Sequence, residues 1–246
     1  MEVISNYPAP EQVGPAFSVD FMRVAQHHSW AVLSQIAAAI KPGMTEAIAR
    51  QLAKDLLQQS GVERLWHPVI IRFGQNTCKI YSEPSEKDTV LQENDIFFID
   101  LGPVYGGHEG DVGATFVVGN NTEQQQCATA AQQLFERVRR HWLVAQCSGS
   151  ELYQFAEQQA AALGYELNLA IKGHRLCDYP HKLYAGGNLG DFDGTPRPGV
   201  WVLEIQIKHP TLPIGAFYED VLLQESVLLD EVDLLDKSVS PAVIQS

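Results

Sequence analysis

The order of elements in this sequence predicts an α+β fold. Two helical stretches come first, a block of short β-rich runs follows, then two more helices, then strands again. The strand runs are joined by turn residues, not by connections long enough for a crossover helix, so they pair antiparallel. The second half also echoes the first, which points to a duplicated helix-plus-hairpin unit without a periodic sequence repeat.

Residues 19–40 place Phe21, Val24, Val32, Leu33, Ile36 and Ile40 near helical spacing, and Lys41-Pro42-Gly43 stops that helix. Thr45 can cap a second helix that runs through Ile48, Leu52 and Leu56 to about Ser60. Residues 68–73, 95–101 and 113–118 read as strands, the last two separated by a glycine-rich turn. Thr122 and Gln125 form a capping-box pattern that opens a helix to about Cys147, and residues 150–163 make another. Residues 199–208 and 216–224 are strands around a loop with two prolines.

At 246 residues, 45% hydrophobic and 19% charged, the chain suits a globular fold with a substantial core. We read residues 1–246 as one domain, with 1–15 an N-terminal extension and 230–246 an acidic tail. Seventeen Lys and Arg against thirty Asp and Glu give a net charge of −13. Such a surface repels phosphate backbones and anionic lipid, so neither nucleic acid nor a membrane is expected as a partner. No apolar run is long enough to span a bilayer, and the first ten residues lack the basic flank and apolar core of a signal peptide. Cys78, Cys127, Cys147 and Cys177 form no C-x-x-C pair, which fits reduced thiols in the cytoplasm.

Two hairpins each carry a pair of carboxylates. Asp100 ends one apolar strand and Asp111 begins the next. A two-residue turn at Tyr105-Gly106 would set them directly opposite; a turn at Gly106-Gly107 would make them diagonal neighbours on one face. Either register brings their β-carbons within roughly 5 to 8 Å. Like charges so placed destabilise a hairpin unless a cation lies between them, and no nearby Lys or Arg obviously serves. A divalent metal would. Taken alone, the segment also reads as two solvated aspartates. Glu204 lies in the apolar strand Val200–Gln206, and Glu219 lies among Phe217, Tyr218 and Val221. With the turn centred near Thr211-Leu212 these two also face one another. A buried carboxylate needs a cation or a strong donor, and Lys208 is the alternative partner for Glu204. Between the hairpins, His174 and His181 stand seven residues apart.

In order and approximate spacing, Asp100, Asp111, His174, Glu204 and Glu219 resemble the metal ligands of the methionine aminopeptidase, prolidase and creatinase superfamily. The resemblance runs from Lys41-Pro42-Gly43-Met44-Thr45-Glu46 to Tyr218-Glu219-Asp220-Val221-Leu222 and includes Thr115-Phe116 after the aspartates. It implies the pita-bread fold, a pseudo-twofold α+β domain. It also implies two divalent ions (Mn, Co, Fe or Zn) bridged by Asp111 and Glu219. Asp100 would complete one ion, and His174 with Glu204 the other. Glu204 would shuttle the proton, and His181, which matches a second family histidine, would donate to the substrate or the developing oxyanion. The implied activity is removal of the N-terminal residue from a peptide. Tyr218-Glu219-Asp220 is similar to the I-E-D of proline-specific members and leans toward Xaa-Pro. Dimers recur in the family, so a homodimer is the implied assembly.

The sequence also departs from the pattern. Arg175 follows His174 where the family has glycine, Lys182 replaces a glutamate after His181, and Ile205 replaces the proline after Glu204. Tyr81 falls where a substrate-binding histidine is expected, and His67 is the candidate to take over that role. The metal positions survive while the substrate-contacting ones have drifted. Two further readings therefore stay open: a creatinase-like hydrolase of a C–N bond in a small guanidino or amide compound, and a catalytically silent binding module.

Overall fold

The computed structural model describes residues 8–87, 89–224 and 243–244. The first helix, α1, spans Val19–Ala39, with the Ser18 side chain accepting from the Phe21 N–H; α2 spans Glu46–Gln59, capped by Thr45 as expected. Strands β1 (Arg64–Leu65), β2 (Ile70–Phe73), β3 (Asp95–Leu101), β4 (Pro103–Tyr105), β5 (His108–Glu109) and β6 (Val112–Val118) follow. Helix α3 (Thr122–Ala145) starts one residue earlier than the capping-box pattern suggests: Asn121, not Thr122, is the cap, and its side chain accepts from Gln124 N. Helix α4 (Gly149–Ala162) carries a capping box between Ser148 and Glu151. The chain closes with β7 (Glu166–Leu167), β8 (His174–Arg175), β9 (Trp201–Lys208), β10 (Gly215–Val221) and β11 (Val243–Ile244). The expected tail, apart from β11, lies outside the described residues.

The main sheet has the order β2-β3-β6-β10-β9-β7, with β8 also on β9 and β11 on β6; β1-β4-β5 form a small second sheet. Every named pair is antiparallel except β11 with β6. The order α-α-hairpin therefore occurs twice, and the two units meet along β6 and β10.

Side-chain alternation decides which face of the sheet is core. Phe97, Ile99 and Leu101 of β3 pack with Val32, Leu33 and Ile36 of α1 and Ala49, Ala53 and Leu57 of α2. Leu203, Ile205 and Ile207 of β9 pack with Leu134, Phe135 and Val138 of α3 and Leu152 and Ala156 of α4. Each such buried Leu, Ile or Phe contributes about 1.5–3 kcal/mol. The intervening residues, Asp100 and Glu204 among them, are thereby turned to the other face. Among the described residues, no helix is long and apolar enough to cross a membrane.

Candidate metal centre

The second of the two hairpin registers is the one adopted. Tyr105 pairs with His108 across Gly106-Gly107, whose φ values of 56° and 70° suit a two-residue hairpin turn. The same register continues through β3 and β6, where Asp100 pairs with Gly113. Asp111 sits at the break between β5 and β6, diagonal to Asp100. Across the seam Gly113 pairs with Glu219, and Glu219 pairs with Glu204. Asp100, Gly113, Glu219 and Glu204 thus form one row across four strands. His174 on β8 pairs with Val202, two residues before Glu204, so it projects from the same face.

Glycine at 113 gives the row its space. A Cβ there would stand 2.7 Å from Glu219 Oε1 and 2.5 Å from Phe217 Cε1. The adjacent row, Phe98, Thr115, Phe217 and Gln206, alternates aromatic and polar side chains. Thr115 Oγ1 accepts from Phe217 N and donates to Phe217 O, stitching β6 to β10 where their backbones part. A small cleft beside Asp100 and Glu204 is lined by Ile70, Phe98, Ile171 and Phe217 together with Lys79, Tyr81 and Gln206.

Two groups of side chains converge closely enough to hold an ion: His67, Asp100 and Asp111, and Asp111, His174 and Glu219. Asp111 belongs to both. Glu204 faces Glu219 but falls in neither group. Asp111 and Glu219 are each 1% exposed. Asp111 Oδ2 and Glu219 Oε1 are buried without a hydrogen-bond partner among the described residues. His174 Nε2 lies 2.9 Å from Asp111 Oδ2, but the contact lacks hydrogen-bond alignment. Orphaned buried oxygens facing one another are what a cation site leaves when only the protein is considered.

The ionisation pattern agrees. Burial, with Asp111 and Asp100 close by, pushes Glu219 well above the usual carboxylate range. Burial likewise pushes Glu204 up to about 7 and Asp100 up to about 6, each opposed by a histidine. Asp111 is held below its ordinary value, because the close contacts and charges of His174 and His67 outweigh its burial. Those histidines resist a desolvation that would lower them and rise instead, His67 to about 9 beside Asp100 and His174 to about 10 beside Asp111. The protein's own cations between the aspartates are therefore imidazoles, not the lysines or arginines sought in the sequence.

The five expected ligands come together on one face. His67 also enters the cluster, with Nε2 3.4 Å from one oxygen of Asp100 and of Asp111. Tyr81 is 74% exposed at the rim of the cleft. His181 is buried, and Trp66 links it to the site, with its ring edge-on to His67, His174 and His181. Arg175 does not crowd the ligand beside it. Its guanidinium turns inward, donating to Leu176 O, Val200 O and Gln12 O and lying over Trp201.

Glu109 is a further residue of the site that its sequence context does not single out. This buried carboxylate accepts from Cys177 N and His181 N and lies 2.8 Å from His181 Nδ1. A carboxylate accepts only, so Nδ1 carries the hydrogen and Nε2 is left free. The available signal was an acidic residue inside a buried strand, two positions before Asp111.

This chain belongs to metallopeptidase family M24, whose family model matches residues 20–223. A methionine aminopeptidase of Clostridium acetobutylicum is 31% identical over 111 residues, 43% of this chain and 44% of that protein. The matches cover less than half the length of the curated relatives. The prolidase of Pyrococcus horikoshii superposes with a TM-score of 0.68 at 20% identity, covering 82% of this chain and 58% of that one. A methionine aminopeptidase of Thermotoga maritima gives 0.66 at 14%, covering 91% and 100%. The fold is the pita-bread fold that the sequence resemblance implied.

Proposed function

We propose that this protein is a dinuclear-metal-dependent aminopeptidase, with Xaa-Pro peptides as its first substrate class. The observation that carries the metal centre is Asp111: one buried carboxylate shared by two converging groups, with an oxygen that finds no hydrogen bond. Asp100, Asp111, His174, Glu204 and Glu219 would hold the ions, an oxygen-rich set with one imidazole that suits Mn, Co, Fe or Zn. Bound there, two divalent ions would polarise a scissile carbonyl and acidify a shared water.

The chain's own groups would do the rest. Glu204, raised to about 7, is suited to taking and returning a proton near neutral pH. His181, anchored through Nδ1 on Glu109, presents Nε2 to the substrate, where it would donate to the carbonyl oxygen in its imidazolium form. Tyr81, at the rim of the cleft, and His181 would contact the substrate, while His67, the other candidate contact, lies inside the carboxylate cluster. The name of the Clostridium acetobutylicum relative supports an aminopeptidase, and Tyr218-Glu219-Asp220 supports the proline preference. A cytoplasmic homodimer remains the family expectation.

The test is a panel of peptides with and without proline in second place, plus small guanidino and amide compounds, offered to metal-stripped protein and to protein reloaded with each metal. The reading predicts release of the N-terminal residue only after reloading, fastest from Xaa-Pro. Turnover confined to the small compounds would favour the C–N hydrolase, and no turnover of any compound a binding module.

A further inference from the structure

We infer that His67 is a sixth metal ligand, giving the ion on the Asp100 side an imidazole as His174 does on the Glu204 side. This rests on the metal-centre reading above.

The distances point first. His67 Nε2 is 3.4 Å from Asp100 Oδ1 and 3.4 Å from Asp111 Oδ1. A hydrogen bond between charged partners is normally about 2.7–2.9 Å, so both contacts are long for one, although that to Asp111 Oδ1 keeps hydrogen-bond alignment. Ligand atoms sharing one ion stand farther apart: tetrahedral bonds of about 2.1 Å set them roughly 3.4 Å from each other. Both His67 spacings match that value, and the three donor atoms all lie within 4.8 Å of one another.

The ring orientation is also that of a ligand. His67 Nδ1 lies 2.8 Å from Pro68 O, and a carbonyl only accepts, so Nδ1 carries the hydrogen. Nε2 is left as the donor atom, backed through the other nitrogen as ligating histidines usually are. His174 repeats this arrangement, with Nδ1 3.0 Å from Arg175 O and Nε2 toward Asp111.

The duplicated unit accounts for the match. His67 leads into β2, the neighbour of β3, while His174 lies on β8, the neighbour of β9. Each half thus delivers one imidazole to Asp111, His67 to Oδ1 and His174 to Oδ2. Gly102 makes room for the first: a Cβ there would stand 2.3 Å from His67 Nε2. Trp66, fixed by a bond from its Nε1 to Gly110 O, braces the ring edge-on at 4.3 Å.

The experiment loads the full chain with Co(II) and counts the exchangeable, paramagnetically shifted imidazole N–H resonances in water, alongside a calorimetric Co(II) titration. Two resonances are expected, from His67 and His174. His67→Ala should leave one and weaken the affected site at least roughly tenfold. Gly102→Ala should do the same by displacing His67, which covers a failure of the first variant to fold. A single resonance in the unaltered chain, with unchanged affinity in the variants, overturns the inference and leaves the metal centre standing. A chain that takes up no Co(II) overturns both.

Discussion

Gly113 occupies the one place in the Asp100–Glu204 row that carries no side chain, and its neighbours explain why. Glu219 Oε1 and Phe217 fill the volume a Cβ would take. Gly113→Val should therefore displace Glu219, lower metal retention and cost about 1–3 kcal/mol of stability; urea unfolding and metal analysis would check this. At this scale the ligands were legible because their chemistry is conspicuous: carboxylates in apolar strands need a partner. Glu109 was not legible, since its partner His181 is 72 residues away. The same limit applied to His67, which sequence offered as a substrate contact, and to Arg175, whose neighbour His174 said nothing about which way its own side chain turns.

The hairpins were legible for a topological reason. A short turn with adjacent glycines left two registers for Asp100 and Asp111, and the turn centre near Thr211-Leu212 left one for Glu204 and Glu219. The helix-helix-hairpin order was readable from periodicity and stop signals. The pairing of β2 with β3 was not, because it joins segments with a long intervening loop, and it is what carries His67 to the site. The N-terminal segment was equally silent. Glu11 accepts from Arg197 N and Trp201 Nε1, and Arg175 grips Gln12 O, so this stretch is pinned against the end of β9. Arg175→Ala would leave buried carbonyls without donors and is expected to cost at least about 2 kcal/mol. Chemical denaturation would read that loss, and metal stoichiometry should stay unchanged because the guanidinium does not touch the site.

For the molecule as a whole, the net charge of −13 divides into surface and site. Asp100, Asp111, Glu204 and Glu219 hold part of it in a buried cluster, where protons on His67 and His174 stand in for metal. Asp100, Glu204, Glu219, His67 and His174 are all raised, so the metal-free folded chain binds more protons than the unfolded one. Its stability should therefore fall as pH rises from about 4 to about 10, Asp100 and Glu204 losing their share by about 7 and His67 and His174 theirs between about 6.5 and 10. Metal-loaded protein should resist that fall, because the ions replace the protons lost. Thermal midpoints of stripped and loaded protein across this range would check the sign. At a free metal concentration 100-fold above Kd, loading should add about 2.7 kcal/mol, or roughly 5–10 °C.

The most direct test is the number of divalent ions retained per chain, measured by elemental mass spectrometry after reloading and gel filtration, for the unaltered protein and for Asp111→Asn. Because Asp111 belongs to both converging groups, the unaltered chain should hold two ions and Asp111→Asn should lose both. An unaltered chain that holds none, or an Asp111→Asn chain that still holds two, would contradict the metal centre.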